Sequence, residues 1–461
     1  MKSHSALLLV GSVFISTSFL TSLYAQNPGD HVPDRFIVQL QDVDDIKGVA
    51  AAHGLNPDGE FKSAAKGFSG VVPAGRLNAL RNDARVLSVS PDRVVSANPK
   101  GGNGGGGGKP DKPGGDDGGT TDPPARDDEV IPSGVERIGA IPGLSAITGM
   151  GVGIAIVDTG LDFNHLDLST GSVSFKASVK GRRMSTREGS TVGQDDEGHG
   201  THVGGIAAAR FDGYDVVGVA PDATLYAVKV LDSSGNGYDS TVIAGLDWIA
   251  ANAEDLSPPI SVVNMSLGRP GTLEDNPTYH QAIQTLHQMG ITVVVSAGND
   301  SALEVSENVP STYPEVLAVA STTALAGDTD IGVTVEADTS SFFSTDGAYD
   351  LATGIGVTIS APGAKQEDIA GGYVTSVGIL STRLGGGTER NSGTSMSAPH
   401  VAGVAALLQE QYGSLDPESV RALIRSGASG VGSAPYDSPT SGYTFDGERE
   451  GVVDVVGTLT P

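Results

Sequence analysis

Short apolar runs alternate with helix-like segments along most of the chain, and these runs change in character near residue 129. In the second part, several runs are unbroken by charged side chains and rich in Val, Ile or Ala. They are Gly153 to Val157, Thr224 to Val230, Ile260 to Met265, Ile291 to Ser296 and Val316 to Ala320. Unbroken apolar strands that alternate with helices are typical of a parallel sheet covered on both faces. The pattern therefore predicts an α/β fold for residues 129–461, with a mostly parallel sheet between two layers of helices.

A smaller unit precedes this part and occupies residues 34–97. Its first strand alternates in polarity, and a glycine, Gly54, ends the helix that follows. The predicted elements are a strand at Arg35 to Leu40, a helix at Val43 to His53, a strand at Gly67 to Val72, a helix at Ala74 to Asp83 and a strand at Val86 to Val95, with one further strand at Glu60 to Ala64. This order predicts a separate, small α+β domain.

The two predicted domains are joined by residues 98–128, in which Pro99 to Ala125 consists largely of Gly, Pro, Asp and Thr. Such a segment has almost nothing to bury, so we interpret it as a flexible, disordered linker. The glycines at Gly104 to Gly108 could suggest a phosphate-binding loop, but the pattern does not favour one, because it predicts no strand before them and no helix after them.

The N-terminal residues 1–25 have the layout of a signal peptide. Lys2 and His4 precede the apolar run Ala6 to Phe19, and small residues lead to a plausible cleavage point after Ala25. The alternative is an uncleaved membrane anchor, but the run is short and interrupted by hydroxyl side chains. The sequence therefore predicts a secreted, extracellular protein without stable membrane association.

Charge and cysteine content narrow the function further. The chain has 55 acidic and 28 basic residues, a formal net charge of -27, and no cysteine. This balance gives no basic surface for nucleic acid and would repel anionic lipids. The acidity fits either simple solubility or cation binding. Because an exported chain without cysteines has no disulfides, we expect another source of stabilisation.

Polar residues follow four of the predicted strand and helix boundaries. Asp158 follows the strand Gly153 to Val157, and Asn299 follows the strand that ends at Ser296. His199 leads into a small-residue helix, and Ser395 leads into an apolar helix that ends near Tyr412. In sheets of this type ligands bind at the carboxyl ends of the strands. Together these residues supply an acid, a base, a nucleophile and an amide donor at one edge of the sheet.

Each of these residues also has a simpler interpretation. Asp158 lies in an Asp-Thr-Gly sequence, as in aspartic proteases, but that chemistry needs a second such carboxylate. His199 and His202 could be metal ligands, although a metalloprotease helix would carry a suitably spaced Glu, and we interpret His202 as a packed structural residue. Asn299 could form a turn and Ser395 could cap a helix.

The blocks around Asp158, His199 and Ser395 closely resemble the catalytic blocks of the subtilisin-like serine proteases, and they occur in the same order. The resemblance covers about Glu129 to the C-terminus. It implies a serine endopeptidase without a catalytic cofactor, in which His199 is the general base, Asp158 orients it and Ser395 attacks the peptide. Asn299 would help to bind the oxyanion.

The resemblance also implies a cleft for polypeptide substrates. A peptide would lie as an added strand between two segments of main chain. The implied substrate-binding residues are Ser266, Leu267 and Gly268 on one side, Asn236 and Gly237 on the other, and Ala297 and Gly298 around the residue before the cut.

The unit at residues 34–97 resembles the inhibitory propeptide of this family, which has a ferredoxin-like fold. This implies a self-processing precursor whose own propeptide is an intramolecular inhibitor, with the maturation cut anywhere from Ala97 to Glu129. The resemblance further suggests structural calcium at Glu129, Asp167 and Asp212, and we expect a monomer. The segment Thr323 to Ser340 looks longer than the family's usual core and receives no role.

Two other functions remain open at this point. One is an inactive, peptide-binding relative of the family. The other is a hydrolase of another class, such as an aspartic or a metal-dependent protease.

Overall fold

A computed structural model of the protein describes residues 27–97, 127–143, 145–330, 332–440 and 449–460. The predicted signal peptide and nearly all of the predicted linker lie outside these residues. Asp127 and Asp128, which the sequence analysis assigned to the linker, instead pair with the loop at Tyr214 and Asp215. In the described residues, no helix has the length and apolar character needed to cross a membrane.

The first unit contains four strands and two helices in the order β-α-β-β-α-β. Its elements are β1 (His31–Leu40), α1 (Asp45–His53), β2 (Pro57–Phe61), β3 (Gly67–Val71), α2 (Ala74–Arg81) and β4 (Val86–Ser96). The strands are antiparallel, and a short strand from the second part of the chain joins the sheet beside β4. Val38, Leu40 and Phe68 belong to a small apolar core that lies between this sheet and the two helices.

The second part begins with the elements that surround the start of the large sheet. They are α3 (Ser133–Arg137), β5 (Gly153–Asp158), β6 (Ser174–Lys180), β7 (Arg183–Gly189), α4 (His199–Ala208), β8 (Thr224–Lys229), β9 (Asn236–Tyr238), α5 (Asp239–Asn252), β10 (Ile260–Met265), β11 (Arg269–Pro270), α6 (Pro277–Gln288) and β12 (Thr292–Ser296). The remaining elements are β13 (Asn308–Val309), β14 (Leu317–Thr323), β15 (Ile359–Ala364), β16 (Gln366–Ala370), β17 (Tyr373–Val377), β18 (Ile379–Thr382), β19 (Thr388–Asn391), α7 (Thr394–Tyr412), α8 (Pro417–Gly427) and α9 (Val455–Leu459).

The large sheet has eight strands in the order β15-β14-β12-β10-β5-β8-β6-β7. All neighbours are parallel except β7, which pairs antiparallel with β6 at one edge. Alternate residues of β5 face two different apolar cores. Ala155 and Val157 pack on the side of α5 and α6, whereas Ile154 and Ile156 pack on the side of α4 and α7. The predicted α/β architecture, a mostly parallel sheet with helices on both faces, is confirmed.

The segment without a predicted role packs on a hairpin formed by β16 and β17. Thr329 bridges to Ile369, and Gly327 bridges to Val335 within the segment. Under it lies Glu367, whose side chain is fully buried and accepts one hydrogen bond, from the backbone N–H of Phe342 at 2.9 Å. The other carboxyl oxygen of Glu367 has no hydrogen-bond partner within the described chain.

Candidate active site

Asp158 and His199 form a buried hydrogen-bonded pair at the end of the central strand. The two carboxylate oxygens of Asp158 lie 2.9 and 3.0 Å from Nδ1 of His199, and the carboxylate also accepts the N–H of Thr159 at 2.6 Å. Burial lowers the pKa of His199, but the adjacent Asp158 carboxylate outweighs it, so the net pKa is raised above the ordinary 6.5. The pair thus holds an imidazole that accepts a proton readily.

The turn before His199 brings the imidazole close to this strand. Gly198 has a φ of +118°, a conformation that strongly favours glycine, and a Cβ on Gly200 would lie 2.2 Å from the carbonyl oxygen of Gly160. Asp195 fixes the turn, because its carboxylate accepts the N–H groups of Gly198 and Thr201 at 3.0 Å. Sequence reasoning missed Asp195, although an Asp three residues before the glycine is a recognisable turn signal.

His202 lies one helical turn after His199 and is fully buried. Its Nε2 lies 3.1 Å from the carbonyl oxygen of Ile379, and burial lowers its pKa to about 3. In the described residues, no group of three His, Asp or Glu side chains could hold a metal ion. These contacts agree with a packed structural role for His202.

Ser395 lies in the first turn of α7, and its side chain is 1% exposed. The preceding residue, Thr394, donates its N–H and its hydroxyl to Oδ1 of Asn299, at 2.9 and 3.0 Å. These two bonds fix the orientation of the Asn299 amide, so its NH2 group is directed away from Thr394. The structure therefore brings Asn299 and the turn of Ser395 together.

The hydroxyl of Ser395 does not hydrogen-bond to the imidazole in this structure. It donates to the carbonyl oxygen of Ala97 at 2.9 Å, with a longer contact of 3.4 Å to the carbonyl oxygen of Ser266. Nε2 of His199 has no hydrogen-bond partner among the residues described. The hydroxyl that the sequence analysis assigned to nucleophilic attack is therefore hydrogen-bonded to a main-chain carbonyl of the same chain.

This carbonyl belongs to a strand end that fills a cleft between two segments of main chain. Ser96 exchanges two hydrogen bonds with Gly268, at 3.1 and 3.0 Å, and pairs with Asn236 on the other side. Val95 pairs with Gly237, and the N–H of Ala97 donates to the carbonyl of Gly235 at 2.9 Å. The end of β4 is thus an added strand in the position where the sequence analysis expected a substrate peptide.

The other residues assigned to substrate binding differ in their surroundings. Leu267 is fully buried in the apolar core on the α5 and α6 side. Ala297 is also buried there, and its carbonyl accepts from Asn308 at 2.8 Å, while the N–H of Gly298 donates to the hydroxyl of Thr394 at 3.2 Å. The side chain of Ser266 is directed at α7: its hydroxyl donates to the carbonyl of Ser395 at 2.8 Å.

A buried lysine that sequence reasoning missed supports the strand end at Asp158. Lys229 pairs with Asp158 in the sheet register, and its side chain is fully buried. Its ammonium group donates to the carbonyl of Thr159 and to a carboxylate oxygen of Asp196, the latter at 2.6 Å. Lys229 thus fixes the main chain directly after the carboxylate.

The first unit is held against the second part by polar contacts as well as by β4. Arg35 is fully buried; it pairs with Asp92 at 3.0 Å and Asp58 at 2.6 Å within the first unit and donates across the interface to the carbonyl oxygen of Arg182 at 2.6 Å. Asp92 accepts the N–H and the hydroxyl of Ser240, at 3.0 and 2.6 Å, in the first turn of α5. From the other side, one oxygen of Asp247 in the same helix accepts the N–H groups of Lys62, Ser63 and Ala64.

The residues suggested for calcium lie around one loop. The N–H of Gly213 donates to a carboxylate oxygen of Glu129 at 3.1 Å, and the N–H of Val216 donates to Asp167 at 3.3 Å. Asp212 lies in the same loop, directly before Gly213.

Comparisons with known proteins agree on one family. The model of the subtilase family matches residues 149–450. The M-protease of Shouchella clausii (strain KSM-K16) is 36% identical over 304 residues, covering 66% of this chain and 66% of its own length. The minor extracellular protease Epr of Bacillus subtilis (strain 168) is 33% identical over 285 residues, covering 61% of this chain and 35% of its own length. The subtilisin of Bacillus pumilus is 34% identical over 312 residues, covering 66% of this chain and 94% of its own length.

Proposed function

We propose that this chain, which belongs to the subtilase family of serine endopeptidases, hydrolyses peptide bonds in polypeptides and is made as a self-processing precursor. This proposal rests on the position of Ala97 in the cleft. Its carbonyl oxygen receives the hydroxyl of Ser395 at 2.9 Å, and its strand is hydrogen-bonded on both sides by the cleft. A substrate would adopt the same extended form.

In the proposed reaction, Nε2 of His199 takes the proton of the Ser395 hydroxyl as its oxygen attacks the substrate carbonyl. Asp158, bonded to Nδ1 at 2.9 Å, orients the imidazole and stabilises the imidazolium that forms. The N–H of Ser395 and the amide of Asn299 receive the negative oxygen. Collapse of the tetrahedral intermediate returns the proton to the leaving amine and leaves an acyl-enzyme, which water hydrolyses.

We propose that the first unit is an inhibitory propeptide that blocks the cleft. Its β-α-β-β-α-β order is that of a ferredoxin-like domain, and its last strand covers Ser395. The first maturation cut would fall within one residue of Ala97, because the carbonyl oxygen of Ala97 accepts the hydroxyl of Ser395. Mass spectrometry of the released fragment should then give a C-terminus at residue 97 or 98. A C-terminus nearer to residue 128 would contradict this position.

Secretion, a monomeric state and structural calcium belong to the same proposal. Secretion is supported by the signal-like layout of residues 1–25. For calcium, the loop at 212–216 contacts both Glu129 and Asp167, and carboxylates with main-chain carbonyls suit this ion. Because the described residues contain no group of three acidic or histidine side chains, such an ion would need carbonyl or water ligands in addition.

Two experiments test the proposed activity. A serine-directed covalent inhibitor should label Ser395 of the mature protein, as identified by mass spectrometry of peptides. The Ser395→Ala chain should remain an unprocessed precursor. Labelling of another residue, or normal processing of this variant, would reject the assignment of Ser395 and favour a hydrolase of another class or an inactive relative.

A further inference from the structure

The helix that carries Ser395 contains a proline one turn further on. Pro399 lies inside α7, four residues after Ser395. In a regular helix the N–H of residue i+4 donates to the carbonyl of residue i, but proline has no N–H. The carbonyl of Ser395 is therefore deprived of its helical donor, at a position where the side chain is 1% exposed.

A side chain from the neighbouring strand supplies the missing donor. The hydroxyl of Ser266, directly after β10, donates to the carbonyl oxygen of Ser395 at 2.8 Å. The amide of Asn264 donates in turn to the hydroxyl oxygen of Ser266 at 3.0 Å, which leaves the hydroxyl proton for the carbonyl. Both side chains are fully buried, so water does not compete for these bonds.

We propose that Ser266 is a positioning residue for the nucleophile. Its hydroxyl, oriented by Asn264, holds the main chain of Ser395 in the first turn of α7, and so fixes both the attacking oxygen and the N–H that binds the oxyanion. This role of the side chain is separate from the main-chain pairing of residues 266–268 with a substrate strand, and it rests on the proposed function of Ser395.

The test is a double-mutant cycle with Ser266→Ala and Pro399→Ala. Ser266→Ala removes a buried hydrogen bond to the nucleophile turn and should lower kcat about tenfold. KM should change little, because the main chain that pairs with a substrate strand is kept. Pro399→Ala restores an N–H that can reach the Ser395 carbonyl, so in that background Ser266→Ala should cost less than about threefold.

Ser397→Ala is the matched control, since it removes a hydroxyl from the same turn of α7. Ser397 is fully buried like Ser266, but its hydroxyl has no hydrogen-bond partner among the described residues. We expect kcat of this variant to stay within about twofold of the wild-type value, because no hydrogen bond is lost. Acylation rates measured with an active-site titrant would report the chemical step directly.

The outcomes separate this proposal from the proposed function. Equal losses from Ser266→Ala in the wild-type and Pro399→Ala backgrounds would overturn the positioning role, as would a loss no larger than that of Ser397→Ala. If Ser266→Ala does not fold to an active enzyme, the same cycle is measured on the melting temperature of the unprocessed Ser395→Ala precursor, with the same criterion of non-additivity. Failure of the covalent inhibitor to label Ser395 in the wild-type protein would instead reject the catalytic assignment itself.

Discussion

Replacing Arg35 with methionine should weaken the hold of the first unit on the rest of the molecule. The Arg35 guanidinium contacts Asp92 at 3.0 Å, Asp58 at 2.6 Å and the carbonyl oxygen of Arg182 at 2.6 Å. Asp92 itself is fully buried and contacts Ser240 of α5. Without the guanidinium, a buried carboxylate would lose its counter-charge in the middle of the interface.

The size of this effect follows from the burial of the network. Removing one partner of a buried ion pair typically costs about 3–5 kcal/mol, because the other charge stays desolvated. Asp92 keeps two hydrogen bonds from Ser240, so we expect the lower end of this range. A loss of about 3 kcal/mol corresponds to roughly 100-fold weaker binding.

The assay is inhibition of the processed enzyme by residues 27–97, supplied as a separate polypeptide. This unit has an apolar core of its own, which includes Val38 and Phe68, so we expect it to fold alone. Arg85→Met is the matched control, because Arg85 is 36% exposed and pairs with Asp83 within the first unit, whereas Arg35 is buried and also donates to the carbonyl of Arg182 in the second part. Exposed ion pairs contribute little, because water screens both charges, so the control should change the inhibition constant less than about fivefold.

Circular dichroism would establish that both variants are folded. If folded Arg35→Met inhibits as strongly as Arg85→Met, the ionic network does not hold the interface, and the apolar contacts of β2 and β4 with α5 must do so. A Ki raised about 100-fold for Arg35→Met alone would support the network.

Three further predictions concern the site and the stability of the chain. Asn299→Ala should lower kcat in a peptide-substrate assay roughly 100- to 1,000-fold, the loss known for such a donor in subtilisin itself; a change below about tenfold would contradict an oxyanion role. Burial raises the pKa of Glu367 from 4.5 to about 7, so stability should fall by at most about 3 kcal/mol as the pH rises from roughly 4.5 to 7, where the unfolded carboxyl ionises but the folded one keeps its proton, and should level off above this range. Urea unfolding of the Ser395→Ala chain should show this fall but not in the Glu367→Gln background, and parallel pH curves would refute it. A calcium chelator should lower the melting temperature of the same chain by several degrees, whereas an unchanged value would reject structural calcium.

The residues that could be found from the sequence are those whose local pattern fixes their position. Asp158 follows an unbroken apolar run that the structure confirms as β5, and the bounds of β10 agree residue for residue with the run Ile260 to Met265. An apolar strand that is buried on both faces leaves little choice of element. The carboxyl ends of β5, β8, β10 and β12 are therefore predicted to within a residue, whereas β14 continues three residues past the predicted end at Ala320.

The elements that were missed lack this signal. The β6–β7 hairpin at Ser174–Gly189 is at the edge of the sheet, and β7 is largely exposed and polar, so periodicity does not mark it. Arg35 was assigned to a strand, but nothing local indicates that it would be buried between Asp58 and Asp92. The position of Ala97 in the cleft depends on the register in which β4 pairs with β9 and with Gly268, far along the chain. Short-range sequence patterns do not encode such a register.

If the first unit is the inhibitory propeptide proposed above, the position of Ala97 in the cleft also makes the activity of the enzyme depend on dilution. While the chain between Ala97 and Asp127 is uncut, the end of β4 and the cleft belong to one molecule, and a tethered segment acts at an effective concentration on the order of millimolar. One cut turns this pairing into an encounter between two molecules. The processed enzyme would then be largely inhibited at high concentration and active after dilution, so that release into a large volume would itself activate it.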